Sequence, residues 1–127
     1  MRTDHRHAEL RLPADPRLLR VARVAVASLA AELPFTLQDI EDLRIAVDEL
    51  AAAAIDGCGP DSTLDLRFEV DGQQLVVTGR VEGAGEPPPM HPVAVDLLAL
   101  VAAGHEIGID GDDRVFTFTK RPPTAGS

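Results

Sequence analysis

Apolar residues recur along this chain with two periods, one of two residues and one of about 3.6, and the switches between them predict its elements. In HAELRLPAD, Ala8, Leu10 and Leu12 alternate with His7, Glu9 and Arg11, the pattern of a half-buried strand that Pro13 ends. Asp15 followed by Pro16 reads as a helix start, a carboxylate that can accept from free N–H groups ahead of the one helical position where proline forfeits nothing. From there Leu19, Ala22, Val26, Leu29 and Leu33 recur at three- and four-residue spacing, a buried stripe that Pro34 closes. Arg17, Arg20 and Arg23 fall three apart on another face, a basic row in an otherwise acidic chain.

Thr36 with Asp39 resembles a capping box and opens a second helix. Its main apolar face carries Ile40, Leu43, Val47, Leu50, Ala51 and Ala54, while Glu49 shares another side with Asp42, Ile45, Ala46 and Ala53. A helix that is apolar or small on two sides is expected to be covered on both, or to line a cavity with the second. Gly57 and Gly59 end it. Residues 63–70, TLDLRFEV, alternate with Leu64, Leu66, Phe68 and Val70 on one side, and after a DG turn QQLVVTGRV resumes the strand as a hairpin. Prolines and glycines make residues 82–92 a long loop. Residues 93–103 predict a third helix stopped by Gly104; HEIGI, the turn DGDD and VFTFTK predict a closing hairpin. The order strand, two helices, two strands, helix, two strands predicts an α+β fold, a two-layer sandwich of one mixed sheet with helices on one face. One domain over residues 1–127 is expected, ordered from about residue 6 to about residue 121, with a loose tail over 122–127.

Composition narrows the function. With 45% hydrophobic and 26% charged residues in 127, the chain can bury a core. Its net charge of −9 is spread without acidic blocks and would repel a phosphate backbone or an anionic membrane, so neither nucleic acid nor membrane is expected as a partner. The longest apolar run, 93–103, is interrupted by Asp96 and falls short of the roughly 20 residues that span a bilayer. MRTDHRHAEL carries no apolar core of a secretion signal, and a cytoplasmic protein is expected. Cys58, the single cysteine, sits between two glycines, which excludes an internal disulfide and suits a small loop residue. His5 and His7 lack partners at ligand spacing, so no metal site is expected there.

The stretches VARVAVASLAAEL, IEDLRIAVDELAAAAIDG and IGIDGDDRVFTFTK, in this order of elements, resemble the bacterial anti-sigma factors of the RsbW and SpoIIAB type, small serine kinases with the histidine-kinase-like ATPase (Bergerat) fold. The likeness runs from about His7 to about Lys120, and the second-helix stretch is its most specific part. In that family the second-helix glutamate is followed four residues on by an asparagine that ligates the Mg²⁺ held by ATP. Residues four apart share a helical face, so an acid could act as base and an amide as metal ligand in one site. Here Glu49 matches the acid, but the asparagine position is Ala53. The family's D-x-G-x-G motif, whose aspartate binds the adenine amino group, falls on VEGAG: Gly83 and Gly85 match, the aspartate is Val81, and Glu82 points to the other side of a strand. The glycine-rich lid that cradles phosphates at a helix start is replaced by PPPMHPVAV, whose prolines offer no N–H.

These departures bear on one ligand, so neither ATP nor Mg²⁺ is expected to bind; Glu49, Ala53, Val81, Gly83 and Gly85 are read as vestiges and no catalytic residue is expected. What the resemblance leaves is sequestration of a sigma factor by a homodimer, released by an antagonist protein, with Arg23 at the family's first-helix interface position and Arg17 and Arg20 beside it. Arginine suits that task because its planar fork can hold a partner's carboxylate bidentately; the plainer reading is a solvated basic row. Two alternatives stay open: an ATP-dependent serine/threonine kinase acting on an anti-sigma factor antagonist, and an adaptor unrelated to transcription.

Overall fold

Each switch of hydrophobic period becomes an element boundary in the computed structural model, which describes residues 5–123. Strand β1 (His5–Pro13) leads through a 3₁₀ turn (Pro16–Leu18) into α1 (Leu19–Ala30) and α2 (Leu37–Ile55). The hairpin β2 (Thr63–Asp71) and β3 (Gln74–Val81) follows, then α3 (Pro92–Val101) and the hairpin β4 (Glu106–Asp110) and β5 (Asp113–Lys120). Asp15 caps as its position requires, its carboxylate accepting from the Arg17 amide at 2.9 Å, although the turn it opens is 3₁₀ before it becomes α-helical. At α2 the capping box closes in both directions, Asp39 N–H to Thr36 Oγ1 at 3.0 Å and Thr36 N–H to Asp39 Oδ2 at 2.9 Å.

The five strands form one sheet in the order β1-β2-β3-β5-β4 with helices on one face, the two-layer α+β arrangement the sequence predicts. It is antiparallel throughout rather than mixed. The reason is connectivity. Two consecutive helices between β1 and β2 return the chain antiparallel, and although one helix carries β3 to β4 in the same direction, β5 inserts between them and separates the parallel neighbours.

The core lies between the helices and the inward face of the sheet. Leu64, Leu66, Phe68 and Val70 of β2 and Leu75, Val77 and Val81 of β3 meet Leu43, Val47, Leu50, Ala51 and Ala54 of α2, all buried. α1 packs Ala22, Val26 and Ala30 against α2, and Leu98 anchors α3. The outward face of the sheet is uncovered by helices: Thr78, Val115 and Thr117 lie half-buried on it, with Arg80 bonded to Asp110 and Asp113 at one end. Residues 124–127 of the expected loose tail lie outside the described residues. Among the described residues no helix is long and apolar enough to cross a membrane.

Candidate functional site

The second side of α2 lines a cleft, as its two-sided composition requires. Glu49, Ala53 and Asp56 form one wall and Pro88, Pro89 and His91 the other, around about 320 Å³. That is the small end of the range for ligand pockets. Glu49 and Ala53 therefore do share a wall, the acid half-exposed at the rim and a methyl group where a side-chain ligand would have to stand. At the far wall the His91 ring accepts from the Val93 amide at 3.0 Å and Pro92 fills the first helical position, so the start of α3 carries its own cap.

Val81 ends β3 with its side chain wholly buried and inward. Gly83 and Gly85 both take φ of +70°, the left-handed region that favours glycine, and turn the chain out of the sheet. The β4–β5 turn pins this glycine loop. The Gly83 amide donates to Asp113 Oδ1 at 2.9 Å and the Gly85 amide to the Asp112 carbonyl at 2.9 Å. The Gly83 amide, with the Arg80 guanidinium after it, holds the Asp113 carboxyl below the usual carboxylate range.

Arg114 is the residue that the sequence reading missed. It stands opposite Val81 in the β3–β5 register, faces inward and is 4% exposed. Nε donates to the Gly85 carbonyl at 3.1 Å; Nη1 to the carbonyls of Ala54 and Asp56 at 2.9 and 2.8 Å; Nη2 to those of Ala84 and Glu86 at 3.1 and 3.2 Å. The five N–H donors of a guanidinium thus each meet a carbonyl oxygen. α2 has no basic residue in its own last turn, and Arg114 reaches across from β5 to serve its free C-terminal carbonyls. The signal was present as parity: carrying the alternation of Phe118 and Phe116 back by one step puts Arg114 on the buried face. Cys58, half-buried, packs against the core with Sγ 3.7 Å from Arg114 Nη1.

The basic row is on the surface but is not one uniform face. Arg17 lies in the 3₁₀ turn, its fork on the Asp15 carboxylate, with its side chain 88% exposed. Arg20 is exposed, its Nε on the Arg17 carbonyl at 3.3 Å. Arg23 crosses from α1 to α2, Nη1 to Asp48 Oδ1 at 2.6 Å, and its side chain keeps 36% exposure. Among the described residues no three His, Cys, Asp or Glu side chains converge as metal ligands.

No family model matches the chain. Among curated proteins it is 31% identical over 80 residues to the serine-protein kinase RsbW of Bacillus velezensis, covering 61% of this chain and 50% of the relative. It is 32% identical over 101 residues to the protein of the same name from Oceanobacillus iheyensis, covering 71% of this chain and 64% of the relative. The chain thus spans about half the length of the first of the curated relatives it matches. Among solved structures, the crystal structure of the RsbU and RsbW domains of a Mycobacterium tuberculosis protein matches with a TM-score of 0.67 at 17% identity, over 91% of this chain and 32% of that one. The resemblance to RsbW-type proteins and to their fold, read first from the residues, holds in both comparisons.

Proposed function

We propose that this RsbW-like chain is a regulator that works by binding alone: it occupies a sigma factor, or a related regulatory protein, and turns over no nucleotide. One arrangement carries the reading. Glu49 and Ala53 share a wall of the cleft, so the position where the resemblance requires a magnesium-binding amide offers a methyl group. Val81, where it requires an aspartate, is buried and apolar. These residues do not fit a magnesium nucleotide.

Binding then falls to the surface. Arg20 and the exposed part of Arg23 on α1 offer the cationic face for a carboxylate-bearing partner, and the homodimer would use the sheet, whose open face lies opposite the helices. Release would follow mass action, through a competing antagonist protein or a change in abundance.

In a pull-down with the cognate sigma factor, Glu49→Ala is expected to leave capture unchanged and Arg23→Glu to weaken it at least tenfold. Because Arg23→Glu also sets a carboxylate against Asp48, the Asp48→Asn variant serves as the control and is expected to bind as the wild type does. The reverse pattern would reject the reading. The kinase alternative keeps one observation in its favour, a half-exposed Glu49 at the cleft rim, and is decided by two measurements: calorimetry with ATP and Mg²⁺, and transfer of labelled γ-phosphate to an antagonist.

A further inference from the structure

Resting on the reading of a cleft without nucleotide, we infer that Arg114 seals one end of the cleft from within the protein: its guanidinium fills the space between the end of α2 and the glycine loop and holds that loop in place without any ligand. The argument starts from what the two elements need. α2 ends with unpaired carbonyls at Ala54 and Asp56, and the loop after β3 turns three successive carbonyls, those of Ala84, Gly85 and Glu86, toward the same spot. Two sets of carbonyl dipoles facing each other repel and would hold the elements apart, or would need donors between them. A planar group with donors around its edge meets that need.

Arg114 supplies such a group from within the chain. Its fork spans both sets, and the side chain is 4% exposed. The register fixes why it reaches: β5 lies directly against β3, so Arg114 projects from beside Val81 into the angle between the loop and the helix end. Ala53 and Asp56, whose carbonyls it approaches, also line the cleft, which stays open from Glu49 to Asp56 toward Pro88, Pro89 and His91. The enclosed end is therefore committed to the protein's own cation, and a planar base entering from the open side would have to expel a guanidinium that has every donor paired. Lysine could not substitute, since three donors on one nitrogen cannot bridge five oxygens.

Hydrogen exchange on the full chain, without nucleotide, tests this. In the wild type the Gly83 and Gly85 amides should be protected; in Arg114→Met they should exchange at least tenfold faster, while amides of the β1–β2 ladder stay unchanged. Equal protection of the two glycines in wild type and variant, with the sheet intact, would overturn the inference. Should Arg114→Met fail to fold, Arg114→Lys decides: faster exchange confined to residues 83–86 supports the inference, and wild-type protection there overturns it. The underlying reading fails by a different result, magnesium-dependent uptake of ATP by the wild type in calorimetry, whatever the loop amides do.

Discussion

Gly79 shows how closely single positions are set. It faces inward on β3 opposite Phe116, and a Cβ built on it would lie 2.1 Å from the Phe116 ring. Gly79→Ala is therefore expected to cost about 1–3 kcal/mol, read as a lower urea midpoint. Phe116→Leu should cost less in that background than in the wild type, because it returns the space. Asp113 carries a pH dependence. Its folded carboxyl is held below the ordinary value of about 4, so it contributes stability above that pH that is lost as pH falls through its folded value. Urea midpoints should fall on acidification in the wild type, and Asp113→Asn should flatten that limb in part. The limb is flattened, not abolished, because Asp15, bonded by Arg17, and Asp39 shift in the same direction. At this scale Glu49 and Ala53 were legible, since a four-residue spacing on a helix needs no tertiary knowledge to place two side chains on one wall. Arg114 was not: a charge beside a DGDD turn looks like turn surface until the strand is known to begin at Asp113.

Elements with local causes were the readable ones. The α2 capping box, the alternation of β2 and β3, and the glycine stop after α2 depend on residues within a few positions of one another. Thr36→Ala should lower stability by about 1 kcal/mol, measurable by urea denaturation, because it frees the Asp39 amide and loosens its reciprocal partner. Where tertiary packing decides, the sequence reading drifted. α3 ends at Val101, two positions short of the expected 103, and its one wholly buried side chain is Leu98, so little holds its last turn. The mixed sheet was an error of the same kind, since the insertion of β5 between β3 and β4 is written in no single segment.

At the scale of the whole molecule, helices cover one face of the sheet and leave the other to solvent or to a second chain. If the proposed homodimer forms on that open face, Val115→Glu on its middle should shift the protein toward monomer in sedimentation velocity, and a dimer that persists would exclude this face. The position of β5 has a further consequence, for synthesis. It is the last of the five strands to leave the ribosome, yet it bonds β3 on one side and β4 on the other. Until it emerges, the nascent chain can zip β1, β2 and β3 but exposes β3 as a raw edge, leaves β4 without a neighbour and keeps the end of the second helix uncapped. Completion of the sheet and sealing of the interior thus arrive together, in one late event set by the reach of a single strand.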